Sequence, residues 1–317
     1  MSLSNKEEQT YFLRKFRQEF AKSSLVEATA SVAFQASSFA ILMAISYFVI
    51  LTSPAVGWAL YPIFLYFLGT RYRALVNVIH ECVHNSFTEK KENNLFFGEL
   101  LSIICFMKFA RYKANHVTHH IYTGDAEKDL GFSNIGFYEL DIPLARPVVK
   151  RHFYRLLTVQ MFKDYLGYVI YDSAAPMGWR IARVVWLTGV AAACIYSGPA
   201  GVITFLILAY LLAARLIALP VIGYVSDILD HGGMLGHDMD LDKSRNYVVK
   251  NRLIAEAFFP RNDCYHLIHH LFPTVPAKWM PTAHALLLKD SAEYREMTHS
   301  FADWMKIALR PKSPLAS

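Results

Sequence analysis

Eight of the 13 histidines in this chain fall into three short clusters. The clusters read HECVH, HVTHH and HLIHH, and they contain His80, His84, His116, His119, His120, His266, His269 and His270. Side chains three and four positions apart lie on one face of an α-helix, so each cluster can direct its imidazoles towards one point. Imidazole is a ligand for zinc, copper, iron and nickel. The spacing therefore predicts a metal site assembled from three helical segments.

Eight ligands are too many for a single ion. A catalytic zinc ion takes three protein ligands and keeps one position open for water or substrate. Two ions that share the histidines, with positions left open, fit the number better. The first cluster also matches the His-Glu-x-x-His signature of zinc proteases, in which the glutamate is the general base. That signature explains neither of the other clusters, so we interpret Glu81 as a carboxylate that supports the metal ligands through hydrogen bonds.

Composition and hydropathy place the clusters beside a membrane. Of the 317 residues, 54% are hydrophobic and 18% are charged, whereas about 25% of residues are charged in soluble proteins. A hydrocarbon core of about 30 Å needs roughly 20 apolar residues in a helix. Four apolar runs approach or exceed that length, at about residues 31–52, 55–76, 181–197 and 200–224. We expect four transmembrane helices in two hairpins; buried helices of a large soluble protein are the alternative.

Charged side chains interrupt two of the apolar segments. A fifth stretch, residues 95–110, carries Glu99 and Lys108, and its uninterrupted part is too short to cross the bilayer. We expect a re-entrant or interfacial segment there. Arg215 lies inside the fourth long run, where a charge marks a functional site. It could bind an anionic headgroup, or its long side chain could extend to the membrane interface.

The distribution of Lys and Arg predicts the orientation in the membrane. The links between the paired runs, SPAV and SGPAG, contain neither residue, whereas every strongly basic segment lies on the other side. Because Lys and Arg are enriched in cytoplasmic segments, we expect both termini and all three clusters in the cytosol. The net charge of +6 then favours contact with anionic headgroups over nucleic acid, since the basic residues follow the membrane boundary.

The predicted organisation has three parts. Residues 1–30 should form a cytosolic amphipathic segment on the membrane surface, since YFLRKFRQEF places aromatic and basic residues at helical spacing. Residues 31–290 should form the membrane domain, and residues 291–317 a cytosolic helix and tail. The four cysteines should be free, because disulfides are rare in the cytosol.

The three clusters, interleaved with paired apolar runs over roughly residues 30–290, resemble those of the membrane fatty acid desaturase and hydroxylase superfamily. The segments NHVTHHIYTGDAEKD and YHLIHHLFPTVPAKW match that family beyond their histidines. The resemblance implies an all-α integral membrane protein with four transmembrane helices, interfacial helices and a cytosolic helical cap that carries the histidines. It also implies a non-haem centre of two iron ions, with O2 as co-substrate, that removes hydrogen from an unactivated C–H bond.

The resemblance extends to residues outside the clusters. Family members often have a further ligand histidine shortly after the last span, which here corresponds to His231 in SDILDHGG. Four residues earlier the family has an asparagine that holds a metal-bound water, whereas this chain has Asp227. That carboxylate could bind iron directly or orient an imidazole. Asp125, Glu127 and Asp129 follow the second cluster and either hydrogen-bond to the ligands or belong to a solvated loop, without the proline that the family commonly places there.

Four further histidines carry weaker expectations. His237 could approach the site, and His284 is expected to be structural or to support the ligands. His152 and His299 are expected on the surface. None of the four has a neighbouring histidine at the spacing that defines the clusters.

The reaction is left open by the residues alone. A fatty acyl desaturase is the favoured interpretation, and a lipid or isoprenoid hydroxylase or ketolase of the same superfamily is the alternative. A membrane zinc metalloprotease that uses HECVH is more distant, as is a metal-transporting or metal-sensing membrane protein. Transport would favour ligands inside the membrane, whereas the clusters lie outside the apolar runs. Metal analysis separates these classes, since an oxygenase would hold two irons and a protease one zinc.

Electrons for O2 chemistry must come from another protein, because the chain has no recognisable electron-carrier domain. We expect a ferredoxin or a cytochrome with its reductase. A basic cytosolic face would attract such an acidic carrier. Its candidate residues are Lys108, Arg111, Lys113, Lys150, Arg151, Arg155, Lys243, Arg245, Lys250 and Arg252. Arg111 and Lys113 are favoured, because they lie beside His116.

Overall fold

The computed structural model describes residues 6–131, 135–166, 172–236 and 243–311. Within these ranges the chain is helical, and its only extended pairings are two isolated bridges. The helices are α1 (Lys6–Glu19), α2 (Leu25–Thr52), α3 (Pro54–Val83), α4 (Lys91–Ile104), α5 (Phe109–Tyr122), α6 (Ile135–Tyr138), α7 (Arg146–Arg155), α8 (Val159–Leu166), α9 (Met177–Ser197), α10 (Val202–Leu206), α11 (Leu219–His231), α12 (Arg252–Phe258), α13 (His266–Leu271), α14 (Met280–Asp290), α15 (Ala292–Glu296) and α16 (Phe301–Ala308). Two π-helical segments, Ile207–Leu212 and Ala214–Ala218, join α10 to α11.

Three helices of the described chain are long and apolar enough to cross a membrane, which fits a membrane protein. They are α2, α9 and the continuous helix Val202–His231, which runs from α10 to α11. The run expected at residues 55–76 lies within α3, a helix of 30 residues. That helix is not among the three, and its apolar part stops at Arg71. By length and hydropathy, the described chain therefore has three candidate transmembrane helices where four were expected.

The start of α2 is fixed by local hydrogen bonds. The hydroxyl of Ser24 accepts from the backbone N–H of Glu27, and the Glu27 carboxylate accepts from the backbone N–H of Ser24 at 2.8 Å. This capping box satisfies two donors that the first turn of a helix leaves without partners. Ser53 alone separates α2 from α3, whose first residue is Pro54. Proline suits that position because the N–H it lacks would have no helical partner.

The helix α3 occupies the centre of the described structure. Most of its side chains between residues 68 and 83 are buried, and it contacts α2, α4, α5, α11 and α12. Close approach to the last apolar helix depends on Gly69. A Cβ at that position would lie 2.6 Å from Cβ of Ala218 and 2.8 Å from Cδ1 of Ile222. The missing side chain therefore brings α3 against the helix that carries His231.

The apolar stretch 95–110 is not one segment. It contains the second half of α4, a turn, and the first residues of α5. Phe106 in this turn has a φ of 53°, a left-handed conformation that is uncommon for a side chain of this size. Two arginines from distant helices hold the turn. Arg215 donates through Nε to the carbonyl of Cys105 at 2.5 Å, and Arg183 donates through Nη2 to the carbonyl of Met107 at 2.6 Å.

The amino-terminal helix α1 packs on the protein through its aromatic face. Phe12 and Phe16 are buried, and their rings lie 6.3 Å and 5.1 Å from the ring of Phe272. Phe20 stacks on Trp279 at 5.4 Å. The face expected on the membrane is thus covered by the segment that follows the third histidine cluster. All four cysteines are free, as expected.

Replacing Gly69 with Val should destabilise the fold, because the new side chain would overlap Ala218 and Ile222. Overpacking of this kind costs about 1–3 kcal/mol. Thermal unfolding of the purified protein in a detergent micelle measures the loss. The matched control is Gly189→Val in α9, where a Cβ meets nothing within 4 Å. Equal unfolding temperatures for the two variants would contradict the close packing of α3.

Candidate metal centre

Four helices bring nine imidazoles together at one end of the described structure. The helix α3 carries His80 and is followed by His84, α5 carries three, α11 ends at His231, and α13 carries three. Their nitrogens form two groups, in each of which the candidate ligand atoms lie within 4.8 Å of one another. The first group is His80, His84, His116, His120 and His269, and the second is His119, His231, His266 and His270.

The nitrogens of the first group have more close neighbours than hydrogen bonding can satisfy. Nε2 of His116 lies 2.8 Å from Nε2 of His80, 2.8 Å from that of His84 and 3.0 Å from that of His120. Nε2 of His120 also lies 2.8 Å from Nε2 of His269. A neutral imidazole nitrogen has either one hydrogen or one lone pair, so it cannot hydrogen-bond to three others. A shared cation would resolve this conflict.

The second group has the same character. Nε2 of His266 lies 2.9 Å from Nε2 of His231 and 3.0 Å from that of His270, which in turn is 3.2 Å from Nε2 of His119. Two nitrogens that are each about 2.1 Å from one ion, roughly at right angles, would lie about 3 Å apart. The spacing and the all-nitrogen donor set therefore fit a transition-metal ion in each group.

Acceptors on the outer ring nitrogens fix two imidazoles of the second group, and a third has a carboxylate nearby. Nδ1 of His119 lies 2.9 Å from Oδ2 of the buried Asp129. Nδ1 of His231 lies 2.7 Å from the carbonyl oxygen of Lys243, and Nδ1 of His266 is 3.5 Å from Oδ2 of Asp230. An acceptor at Nδ1 holds the hydrogen there and leaves the lone pair on Nε2, the atom that faces the group.

Burial and mutual repulsion keep these imidazoles neutral. Burial is the main cause that lowers the pKa of His116, His269 and His270 well below the usual value, with neighbouring imidazoles adding to it. Burial also lowers the pKa of His84 to about 4 and that of His120 to about 2. Neutral rings with available lone pairs are the form that binds a metal ion.

Glu81 lies beside the site and forms hydrogen bonds with Arg261 and Ala277, which together are called the brace. Its carboxylate accepts hydrogen bonds from the guanidinium of Arg261 and from the backbone N–H of Ala277, the latter at 3.0 Å. Arg261 also lies over the ring of Phe87 at 5.2 Å. Glu81 thereby ties the end of α3 to the turns on either side of α13 and is not a member of either nitrogen group.

Asp125 and Asp227, two of the three predicted aspartates, lie in different surroundings. Asp125 accepts from the backbone N–H groups of Glu127 and Lys128, at 3.0 Å and 3.1 Å, and so shapes the turn after α5. Asp227 accepts the hydroxyl hydrogen of Tyr165. It lines a cavity of about 220 Å³ that reaches both nitrogen groups. Asp227 therefore faces the space beside the site, whereas Asp125 serves the loop.

The remaining histidines belong to other parts of the molecule. His152 is 2% exposed, and its Nδ1 lies 2.8 Å from the hydroxyl of Tyr224, so the expectation of a surface position is wrong. The hydroxyl of Tyr224 satisfies one of its two ring nitrogens. His284 and His299 contact Tyr294 in a separate polar cluster, and His299 is only partly exposed. His237 lies outside the described residues.

Two structural partners of the site escaped the sequence reasoning. Asp230 is buried beside His266, and its position directly before His231 was an available signal. Arg73 donates two hydrogen bonds to the Asp263 carboxylate, from Nε at 2.8 Å and from Nη2 at 3.2 Å. Nothing in the spacing along the sequence connects these two residues, which come together only because α3 meets the segment before α13.

Comparison with known proteins agrees with this arrangement. The sequence model of the fatty acid desaturase family matches residues 56–302. Dihydrorhizobitoxine desaturase from Bradyrhizobium elkanii is 24% identical over 265 residues, which is 76% of this chain and 71% of that protein. An sn-1 acyl-lipid omega-3 desaturase (ferredoxin) from Nostoc sp. (strain 36) is 30% identical over 109 residues, 34% of this chain and 30% of its own length.

A plant relative shows the same likeness over a shorter segment. The omega-3 fatty acid desaturase, endoplasmic reticulum, from Vigna radiata var. radiata is 32% identical over 73 residues, which is 23% of this chain and 19% of that protein. These matches confirm the resemblance drawn from the three histidine clusters, and the family match covers both groups of imidazoles. The chain belongs to the fatty acid desaturase family.

Proposed function

We propose that this protein is a membrane-bound, O2-dependent di-iron oxidoreductase that acts on a C–H bond of a lipid, most simply as a fatty acyl desaturase. The convergence of nine imidazole nitrogens into two adjacent groups carries this proposal. Iron bound there would supply the activation of O2 needed to remove hydrogen from an unactivated carbon. Hydroxylation or ketone formation on a lipid or isoprenoid is the alternative, since it begins with the same hydrogen removal.

The protein's own contribution is to hold and orient the ligands. In this proposal each nitrogen group binds one iron, five histidines holding the first and four the second. The Asp129 carboxylate and the Lys243 carbonyl fix the rings of His119 and His231, so that their Nε2 lone pairs point into the group.

We also propose that α3 is a fourth membrane-crossing helix, paired with α2, and that α9 pairs with the helix Val202–His231. Large apolar side chains on the first half of α3 support this placement. Trp58 is 50% and Ile63 is 54% exposed, as are similar side chains on α2 such as Phe48 at 64%. An exposed apolar band of this kind is stable only in contact with lipid. The histidines would then lie on the cytosolic side of the bilayer.

An external electron donor of ferredoxin or cytochrome type completes the proposal. The Nostoc relative carries the word ferredoxin in its name. On α5, Lys113 is exposed three residues before His116, so a carrier docked there would lie close to the metal ligands. Arg245 leaves the expected docking surface, because it is 4% exposed and donates to the carbonyl of Gly232.

Replacing His119 or His269 with Ala tests the two groups separately, since each belongs to a different one. Each variant should lose about one iron per chain and all desaturation while still inserting into the membrane. Elemental analysis of the purified protein and lipid analysis of expressing cells give the two readouts. The control is His284→Ala, which lies in neither group. Full turnover by either ligand variant, or one zinc per chain with O2-independent activity, would contradict the proposal.

Replacing Glu81 with Gln tests the brace against the protease interpretation. The variant should keep its iron but lose about 3 kcal/mol of unfolding free energy, because a partly desolvated arginine loses its charged partner. Arg261→Gln should cost a similar amount, and the double variant should cost less than the sum of both, since they share one interaction. Thermal unfolding and iron content are measured together. Lost activity with unchanged iron and stability would instead place Glu81 in the chemistry.

Replacing Lys113 with Glu should slow reduction by an acidic ferredoxin severalfold at low salt, and the difference should shrink as ionic strength rises. Stopped-flow reduction of the iron-loaded protein measures this step without turnover. Arg111 is left unchanged because it also lines a cavity beside the site. The control is Lys289→Glu, an exposed lysine in the last turn of α14. Equal reduction rates in both variants would assign the basic face to the membrane alone.

A further inference from the structure

A larger cavity adjoins the candidate metal centre. It has a volume of about 410 Å³ and lies between α3, α5, α8 and α11. It shares Tyr112, Asn115, Gly131 and Asp227 with the smaller cavity that reaches the nitrogen groups, so the two spaces are neighbours. A cavity of this size accommodates a small organic molecule or part of a larger one. Its position makes it the space from which a substrate would approach the site.

The lining of this cavity is unexpectedly charged for a pocket that takes an acyl chain. Its cationic side chains, among the described residues, are Arg73, Lys108, Arg111, Lys163 and Arg215. Two carboxylates, Asp164 and Asp227, also line it. Even when Arg73 is balanced by Asp263 outside the lining, four cations face two carboxylates. The positive excess gives the cavity a potential that attracts anions.

Arg215 provides a buried positive charge at the wall of this cavity. It lies within the apolar helix Val202–His231 but is only 2% exposed, so its side chain does not extend to the membrane interface. Its Nε donates to the carbonyl of Cys105 and its Nη2 to the carbonyl of Leu166 at 2.8 Å. Its Nη1 has no hydrogen-bond partner in the described part of the chain. A buried charged donor without an acceptor is costly, and an anionic oxygen in the adjoining cavity would satisfy it.

We propose that this cavity binds an anionic oxygen group, a carboxylate or a phosphate, on the substrate, and that Arg215 and Lys163 determine this specificity. The inference rests on the proposed function, because it concerns the substrate end that lies beside the metal centre. Lys163 is exposed at the end of α8 and would attract the anion, whereas Arg215 receives it where water is scarce. The substrate would therefore enter with its charged group in the larger cavity and its reactive carbon towards the smaller one.

Binding of radiolabelled octanoate to the protein in phosphatidylcholine nanodiscs tests the proposal without turnover. The affinity for octanoate should be at least about tenfold higher than the affinity for uncharged octanol, which is measured by its competition with octanoate. Arg215→Gln should weaken octanoate binding by about tenfold or more, because a charge-assisted hydrogen bond is lost. Lys163→Gln should weaken it by about threefold, since that side chain is exposed to solvent. Octanol competition should be unchanged in both variants.

Matched controls separate binding from folding. Arg183 is also buried and donates to the same turn, at Met107, but it does not line the cavity, so Arg183→Gln reports the effect of loosening the turn. Lys289→Gln is the control for the exposed lysine. If Arg215→Gln fails to fold, Lys163→Gln carries the test. Octanoate that binds no better than octanol, or that is weakened equally by variants and controls, would overturn the proposal.

Two further experiments identify the source of the anion and test this inference separately from the proposed function. Competition by octyl phosphate, and by phosphatidylglycerol in the nanodiscs, reveals whether a lipid headgroup occupies the cavity. Strong competition in both experiments supports a headgroup. Weak competition in both supports a free acid. The His119→Ala and His269→Ala variants report the metal centre. Iron content and turnover that stay unchanged in these variants, while octanoate binds the parent protein as expected, reject the proposed function alone. Loss of iron and turnover in the variants, with octanoate binding the parent no better than octanol, rejects this inference alone.

Discussion

Nine imidazole nitrogens lie in two groups, each within 4.8 Å, although the nitrogens of a group cannot satisfy one another by hydrogen bonds. This constraint governs the rest of the structure. His116 alone faces three neighbouring Nε2 atoms at 2.8–3.0 Å. Burial suppresses protonation of the rings, so repulsion between charged imidazoles is avoided, but the lone pairs still need a common partner. A cation in each group would meet that need and would stabilise the arrangement.

Such a centre requires helix ends that do not move, and the chain supplies partly buried ion pairs around it. Two of them connect α3 to the segment that precedes α13: Glu81 binds Arg261, and Arg73 binds Asp263 through two hydrogen bonds. Arginine suits both positions because its planar fork matches a carboxylate and stays charged when it is buried. The aromatic face of α1 adds a third support by covering Phe272. Each support acts just outside the ligands.

The last long apolar helix connects a buried arginine to the candidate metal centre. Between α10 and α11 the chain adopts two π-helical segments, and Arg215 lies in the second. A π-helical turn inserts an extra residue and rotates the side chains that follow, which is why it often occurs at functional sites. Here Arg215 lies against the turn between α4 and α5, and its helix ends at His231. One helix thus joins a buried charge, Asp227 and a candidate ligand.

Much of the site could be predicted from the sequence, because its strongest signals are local. Histidines at helical spacing, long apolar runs and the distribution of Lys and Arg indicated an all-helical membrane protein with a metal site, and the family match confirms the resemblance. The structure brings all nine predicted histidines together. The crossing of the membrane by α3 stays a prediction, because Arg71 and Arg73 follow directly after its apolar half.

Only the tertiary structure decided how those residues divide and what supports them. His119 and His120 are adjacent in sequence yet belong to different groups, as do His269 and His270, because successive side chains on a helix point about 100° apart. The carboxylate that contacts His119 is Asp129, and Glu81 pairs with a residue 180 positions away. Composition and spacing determined which atoms could bind a metal. Their partners depended on contacts between distant helices, and no local pattern encodes which helices meet.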